Sequence, residues 1–79
     1  MRVRIKLLGT LPSHYPGRYP ASGIEFDLPA GTRASDIVSF VGIPTSRLGF
    51  VTVNGRIAGE TDPIPEKATI KLFQKIAGG

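Results

Sequence analysis

The first segment of the chain alternates strictly between basic and apolar side chains. Its order is Arg2, Val3, Arg4, Ile5, Lys6, Leu7. This period of two is typical of a strand that has one face in a hydrophobic core and the other in water. The chain is therefore expected to build a sheet that is covered on one side, with this strand in it.

Further segments predict strands as well. Residues 23–28 alternate again and are expected to pair antiparallel with the first strand. A third strand covers residues 50–53, and Asn54-Gly55 after it is a strong type I′ hairpin signal. Residues 56–58 begin the return strand, and residues 68–73 supply the last one.

A segment between the second and third strands has a helical period instead. Its apolar residues, at positions i, i+3, i+4 and i+7, are Ala34, Ile37, Val38 and Val41. The Thr32 hydroxyl is predicted to cap the helix, Asp36 to lie near the positive end of its dipole, and Gly42 to end it. Such a helix has two to three turns and packs one face on the sheet.

The order strand, strand, helix, strand, short strand, strand places the chain in the α+β class. In the usual closure of this order, the first and last strands lie side by side and parallel, joined by a right-handed crossover. We therefore predict a mixed sheet of four to five strands with one short helix packed on one face. This domain is expected to span residues 1–74, followed by a flexible tail of residues 75–79.

Residues 9–22 contain too many prolines and glycines for regular structure and predict a long loop. His14, the only histidine, lies in this loop and is interpreted as a solvated side chain, since no nucleophile accompanies it. Asp62, before Pro63, is interpreted as a turn residue rather than a ligand.

The absence of cysteine limits the chemistry of the chain. It removes disulfides, thiolate zinc sites, iron–sulfur ligation and a persulfide carried on the chain itself. No Ser, His and Asp trio, metal-ligand cluster or phosphate-binding Gly-rich loop can be assembled from the other residues. With 79 residues there is little room for a built-in cleft, so a carrier or binding module is favoured over an enzyme.

The net charge of +4 favours nucleic acid or an acidic protein surface as a partner. The basic residues are scattered and the aromatic residues form no base-stacking motif, so nucleic acid is the minority hypothesis. Charges interrupt the apolar residues after Met1, which argues against a signal peptide or a membrane span. We expect a cytoplasmic protein without a membrane partner.

The chain ends in Lys75-Ile76-Ala77-Gly78-Gly79, directly after the last predicted strand. Two terminal glycines alone are a weak signal, but here a central strand is expected to anchor and project them. A terminal glycine has no Cβ, so its carboxylate can enter a narrow channel and adopt backbone angles closed to other residues. That property suits attack on a nucleotide phosphate inside another enzyme's site.

Longer sequence motifs add to these observations. They are the basic-apolar first strand, Leu28-Pro29-Ala30-Gly31-Thr32, Val51-Thr52-Val53-Asn54-Gly55 and Leu72-Phe73-Gln74-Lys75-Ile76-Ala77-Gly78-Gly79. Together they resemble the ThiS/MoaD family of ubiquitin-like sulfur carriers, which have the β-grasp fold. The resemblance covers almost the whole chain.

The resemblance implies that a ubiquitin-activating-type enzyme adenylates Gly79 and that a sulfurtransferase converts it to a thiocarboxylate. Gly78, Ala77 and Ile76 would thread into the partner. Sulfur would then pass to a thiazole synthase in thiamine biosynthesis, or to molybdopterin through the large subunit of molybdopterin synthase. The chain binds no cofactor in this scheme, because ATP is used by the activating enzyme. It is no enzyme itself, or in the molybdopterin case it is the small subunit of the synthase.

The two halves of the chain resemble different members of the family. The end, Leu72-Phe73-Gln74-Lys75-Ile76-Ala77-Gly78-Gly79, is similar to the thiamine carrier. Leu7-Leu8-Gly9-Thr10-Leu11 and the extended loop after it are more similar to the molybdopterin carrier. The Pro- and Tyr-bearing loop and the short helix fit neither, which leaves a third sulfur pathway open.

Strand alternation places Phe50 and Thr52 outward on the third strand, and Lys71 and Phe73 outward on the last. Two exposed phenylalanines beside Lys71, Lys75 and the basic row of the first strand predict a partner-binding surface with a charged rim. In the alternative arrangement, one phenylalanine folds under the long loop.

Two other functions stay open at this point. In the first, the chain is a ubiquitin-like modifier whose Gly79 forms an isopeptide bond with lysines of other proteins. In the second, it is a basic β-grasp module that binds RNA, with an affinity that falls steeply with salt.

Overall fold

The computed structural model describes residues 1–76. In this part of the chain, one sheet contains β1 (Arg2–Leu7), β2 (Ile24–Asp27), β3 (Leu48–Val53), β4 (Arg56–Ile57) and β5 (Thr69–Gln74). The helix α1 (Ile37–Val41) follows a 3₁₀ turn at Ala34–Asp36. Further 3₁₀ turns cover Leu11–His14 and Thr45–Arg47.

The sheet has the strand order β2-β1-β5-β3-β4. Its inner strands β1 and β5 run parallel, with Arg4 opposite Thr69 and Leu7 opposite Leu72, whereas the other neighbouring pairs are antiparallel. The α+β class, the mixed sheet and the central last strand predicted from the sequence are confirmed. Because β5 lies in the middle, the chain leaves the sheet between two neighbours rather than at an edge.

Turn residues predicted from the sequence adopt the expected geometry. The β3–β4 hairpin turns at Asn54 and Gly55, whose φ angles of 52° and 86° are both positive, as a type I′ turn requires. The Asp62 carboxylate accepts a hydrogen bond from the Gly59 N–H at 2.8 Å, which closes a second turn. Asp62 is therefore a turn residue, as predicted.

The core lies between α1 and one face of the sheet. Its largest fully buried side chains are Val3, Ile5, Leu11, Ile37, Ile70 and Leu72. The predicted apolar face of the helix is buried as well, at Ala34, Ile37, Val38 and Val41. The sheet face opposite α1 therefore carries the polar positions of the strands.

The start of the helix differs from the prediction. The prediction that Thr32 caps it is wrong, because Thr32 Oγ1 donates a hydrogen bond to the Pro29 carbonyl at 2.7 Å instead. Threonine hydroxyls often bond to nearby backbone in this way, and here the bond closes the preceding turn. The Asp36 carboxylate accepts a hydrogen bond from the Arg33 N–H at 3.1 Å. Gly42 ends α1 with a φ of 84°, as predicted.

The segment of residues 9–22 is more structured than a surface loop. Leu11 is fully buried, so this segment contributes to the core. The Tyr19 hydroxyl accepts a hydrogen bond from the Leu7 N–H at 2.9 Å, and the Tyr19 ring meets the Tyr15 ring edge to face at 6.1 Å. His14, expected to be solvated, is half-buried. A proline-rich composition indicated a loop but could not show that one leucine in it is a core residue.

Candidate functional site

The sheet face turned away from α1 is called the outer face. Strand register places on it Arg2, Arg4, Lys6, Glu25, Asp27, Phe50, Thr52, Ile57, Thr69, Lys71 and Phe73. Phe50 and Phe73 are paired across β3 and β5, and their rings stack with centroids 4.4 Å apart and planes 7° from parallel. Phe50 is 38% exposed and Phe73 is half-buried. The two phenylalanines thus form one apolar centre on this face.

Two apolar residues that were not predicted from the sequence enlarge this centre. Ile57 in β4 is 74% exposed and pairs with Thr52. The Leu8 N–H donates to the Leu72 carbonyl at 3.0 Å, which continues the parallel register and brings Leu8 level with Phe73. Extending the alternation of β1 by one residue would have found Leu8, whereas β4 is too short to show a period.

Positive charge on the outer face is concentrated beside the phenylalanine stack. Lys6 and Lys71 are direct neighbours across β1 and β5, and both are half-buried. Arg2 and Arg4 instead lie 3.7 Å and 3.2 Å from the Glu25 carboxylate. Within residues 1–76, no carboxylate forms a salt bridge with Lys6 or Lys71. These two lysines are therefore available to pair with an acidic group on a partner.

Thr52 lies on the outer face, as strand alternation predicted, but it is buried there. Its side chain is only 8% exposed, because Lys71 and Ile57 on the neighbouring strands have longer side chains that shield it. Thr52 Oγ1 is buried and has no hydrogen-bond partner among the described residues. An unsatisfied buried hydroxyl destabilises the fold slightly.

The chain leaves the sheet at the end of β5. Gln74 is the last residue of the strand, and the Lys75 N–H still donates to the Arg47 carbonyl at 3.0 Å. Lys75 and Ile76 are exposed, Ile76 by 72%. The predicted sites at residues 77–79 lie outside the described residues.

A third residue that sequence reasoning missed, Gly49, lies next to this exit. The register of β3 shifts between Leu48 and Phe50, so Gly49 forms a bulge opposite the end of β5. A Cβ on Gly49 would lie 2.6 Å from the Gln74 carbonyl oxygen, which is closer than any side chain allows. The available signal was a glycine inside an apolar strand pattern, which often marks a bulge or a close backbone approach.

Within the described part of the chain, no three His, Cys, Asp or Glu side chains are placed to hold a metal ion. A groove of about 540 Å³ beside α1 is lined by residues 29–32, Asp36, Ser39 and Phe40. Asp36 already accepts a backbone hydrogen bond there. No helix among residues 1–76 is long and apolar enough to cross a membrane.

Solved structures of other proteins have a similar fold. A protein assigned as molybdopterin converting factor, subunit 1, from Pyrococcus furiosus matches with a TM-score of 0.72 and 16% identity, over 95% of this chain and 98% of that chain. SAMP1 from Haloferax volcanii matches with a TM-score of 0.68 and 16% identity, over 100% of both chains. No protein-family model and no curated protein sequence matches the chain.

Both similar structures are β-grasp proteins. The chain has the β-grasp fold. The β-grasp fold expected from the resemblance to the ThiS/MoaD family, drawn from sequence motifs, is therefore confirmed. At 16% identity the likeness establishes the fold alone.

Proposed function

We propose that the chain is a ubiquitin-like carrier whose terminal carboxylate, on Gly79, is activated and loaded with sulfur by partner enzymes. The observation that supports this most is the central position of β5, from which Lys75 and Ile76 continue the chain. A strand held between two neighbours gives a tail a fixed origin, which an edge strand would not. The name of one similar structure, a molybdopterin converting factor subunit, also supports a carrier role.

The proposed chemistry takes place in partner sites and uses only the carboxylate of this chain. A Gly79 carboxylate oxygen attacks the α-phosphorus of ATP, and pyrophosphate leaves, which produces an acyl adenylate. Sulfide-level sulfur from a sulfurtransferase then attacks the carbonyl carbon, and AMP leaves. The resulting thiocarboxylate donates its sulfur to a precursor of thiamine, of molybdopterin or of another sulfur-containing product. The chain supplies no catalytic group, and ATP is bound by the activating enzyme.

The outer face is the proposed docking surface for these partners. The Phe50–Phe73 stack is an ordered apolar centre of the kind that dominates binding energy. Lys6 and Lys71 form a basic rim beside it, and Lys75 adds a further charge where the tail begins. The fitting partner has an apolar pocket with carboxylates at its edge. An activating enzyme and a synthase would use this face in turn, because each must receive the same tail.

Intact-mass measurement tests the proposed function. The purified chain is incubated with ATP, sulfide and an activating enzyme of either the thiamine or the molybdopterin type. We expect one oxygen of the chain to be replaced by sulfur with at least one enzyme, and no change when ATP is omitted. Absence of exchange with both enzyme types would contradict the carrier function. The enzyme that supports the exchange also identifies the pathway.

A separate measurement distinguishes the carrier from a protein modifier, since activation of Gly79 is common to both. The tagged chain is expressed in cells, and extracts are separated under denaturing conditions. A carrier stays at its own mass, whereas a modifier appears in higher-mass conjugates that survive reducing agents.

A further inference from the structure

Gln74, the last residue of β5, is held on the β1 side by its own side chain. Gln74 Oε1 accepts a hydrogen bond from the Thr10 N–H. A Cβ on Gly9 would require the flexible Gln74 side chain to move, and the Gly9 φ of 65° favours glycine at this position. The hydrogen bond from Leu8 to Leu72 keeps this part of the chain alongside β5 beyond the end of β1. The contact between Thr10 and Gln74 therefore joins the loop after β1 to the last residue before the tail.

The β3 side holds the same residue through its backbone. A Cβ on Gly49 would lie 2.6 Å from the Gln74 carbonyl oxygen and 3.1 Å from Lys75 Cα. The Lys75 N–H donates to the Arg47 carbonyl at 3.0 Å. The loop after β1 and the start of β3 thus contact the last residue of β5 from both sides, and beyond these contacts Ile76 is 72% exposed.

From these contacts we propose that Thr10, Gly49 and Gln74 form an exit clamp, which fixes the direction in which the tail leaves the domain. Gln74 is then a positioning residue for the reaction of the terminal carboxylate. This inference rests on the proposed function, because direction matters only when the carboxylate must reach a reacting centre in another protein. The Gln74 side-chain bond is solvent-exposed and stabilises the fold little, so its larger effect is expected on the reaction.

The length of the tail makes its origin important. Residues 75–79 follow the clamp, and five extended residues span about 17 Å. A small rotation at the origin displaces the far end of such a segment by several times more than the near end. Misplacing a reacting group by about 1 Å can lower a rate by roughly 100-fold. A fixed origin reduces the volume that the carboxylate samples before it reaches the nucleotide.

Substitutions at Gln74 separate the hydrogen bond from the size of the side chain. Gln74→Met keeps the length but removes the acceptor, whereas Gln74→Glu keeps an acceptor for the Thr10 N–H. With an activating enzyme that accepts the wild-type chain, we expect Gln74→Met to lower the kcat of adenylation roughly tenfold. The Kd for docking should stay within about twofold, since the outer face is unchanged. Gln74→Glu should restore most of the kcat.

A backbone variant tests the other side of the clamp. Gly49→Ala forces the end of β5 to move, because the new Cβ meets backbone atoms of Gln74. The matched control is Gly59→Ala, whose Cβ would lie 3.5 Å from the Asp62 carboxylate, an ordinary contact. We expect a kcat loss in Gly49→Ala and none in Gly59→Ala, with melting curves recorded for both variants. A kcat loss shared by the control would overturn the assignment of Gly49.

Amide relaxation measured by NMR tests the exit clamp in the chain alone, without a partner. Order parameters of Lys75 and Ile76 should fall in Gln74→Met and return toward wild-type values in Gln74→Glu. Unchanged order parameters, or an adenylation kcat equal to that of the wild type, would overturn the positioning role. Should the wild-type chain itself fail to be adenylated, the proposed function fails, while the order parameters still decide whether the clamp exists.

Discussion

The rings of Phe50 and Phe73 lie 4.4 Å apart and 7° from parallel, on adjacent strands of the outer face. Such a stack stabilises a fold by about 0.5–1.5 kcal/mol beyond the burial of its area. Phe50 nevertheless keeps 38% of its surface in water, where a partner can cover it. Because the stack already orders both side chains, a partner loses little side-chain entropy when it binds them.

Truncation of either ring should therefore weaken binding more than folding. We expect Phe50→Ala and Phe73→Ala to lower the free energy of unfolding by about 1 kcal/mol. The same variants should lower the affinity for the activating enzyme by about 2 kcal/mol or more. Chemical denaturation measures the first quantity and isothermal titration calorimetry the second. Phe40→Ala, on α1 and 44% exposed, is the control and should leave affinity unchanged.

The opposite pattern would place the phenylalanines in the core. A variant that unfolds, while its folded fraction keeps the affinity of the wild type, would show that the outer face is not the docking surface.

Charge reversal at Lys71 should also separate folding from binding. Lys71→Glu replaces the like-charged neighbour of Lys6 with a carboxylate, so stability should stay equal or rise by about 0.2–1 kcal/mol. Affinity for an acidic partner should fall about tenfold at low salt, and its salt dependence should become weaker. Lys67→Glu, just before the start of β5, makes the same change in net charge and is the control. Equal affinity of both variants across a salt series would contradict the basic rim.

Local sequence pattern predicted the fold because each main element carries its own period. The alternation of β1, the apolar positions of α1 and the Asn54-Gly55 turn are all visible within a few residues. Thr52 shows a property that local sequence pattern cannot predict, the exposure of a side chain. Alternation assigns a residue to a face of the sheet, but exposure also depends on the size of its neighbours on other strands, which only the register supplies.

The candidate site could be predicted only in part for a similar reason. The phenylalanine pair follows from alternation on two strands. The exit clamp does not, because Thr10 and Gln74 are 64 positions apart and meet through the parallel pairing of β1 and β5. No local pattern identifies a backbone N–H that bonds to a distant glutamine side chain.

Two buried threonines should respond to the same substitution with opposite signs. Thr32 is 6% exposed and donates a hydrogen bond to Pro29, whereas Thr52 is 8% exposed and its hydroxyl has no partner among the described residues. Thr52→Val removes an unsatisfied polar group at nearly constant volume, so it should raise the free energy of unfolding by about 1 kcal/mol. Thr32→Val should lower it by about 1 kcal/mol. Urea denaturation measures both, and a loss of stability in Thr52→Val would show that its hydroxyl is bonded.

Deletion of Gly78 and Gly79 should remove function without affecting stability. β5 ends at Gln74, before these residues, so the melting curve should be unchanged. Adenylation and thiocarboxylate formation should be abolished, because the new carboxylate on Ala77 stops short of the nucleotide and carries a Cβ into a channel shaped for bare backbone. Gly78→Val should act similarly at full length, since a β-branched side chain is excluded sterically. Intact-mass measurement detects sulfur loading of these variants, and melting curves measure their stability. A truncated chain that still accepts sulfur, or that unfolds, would contradict the role of the tail.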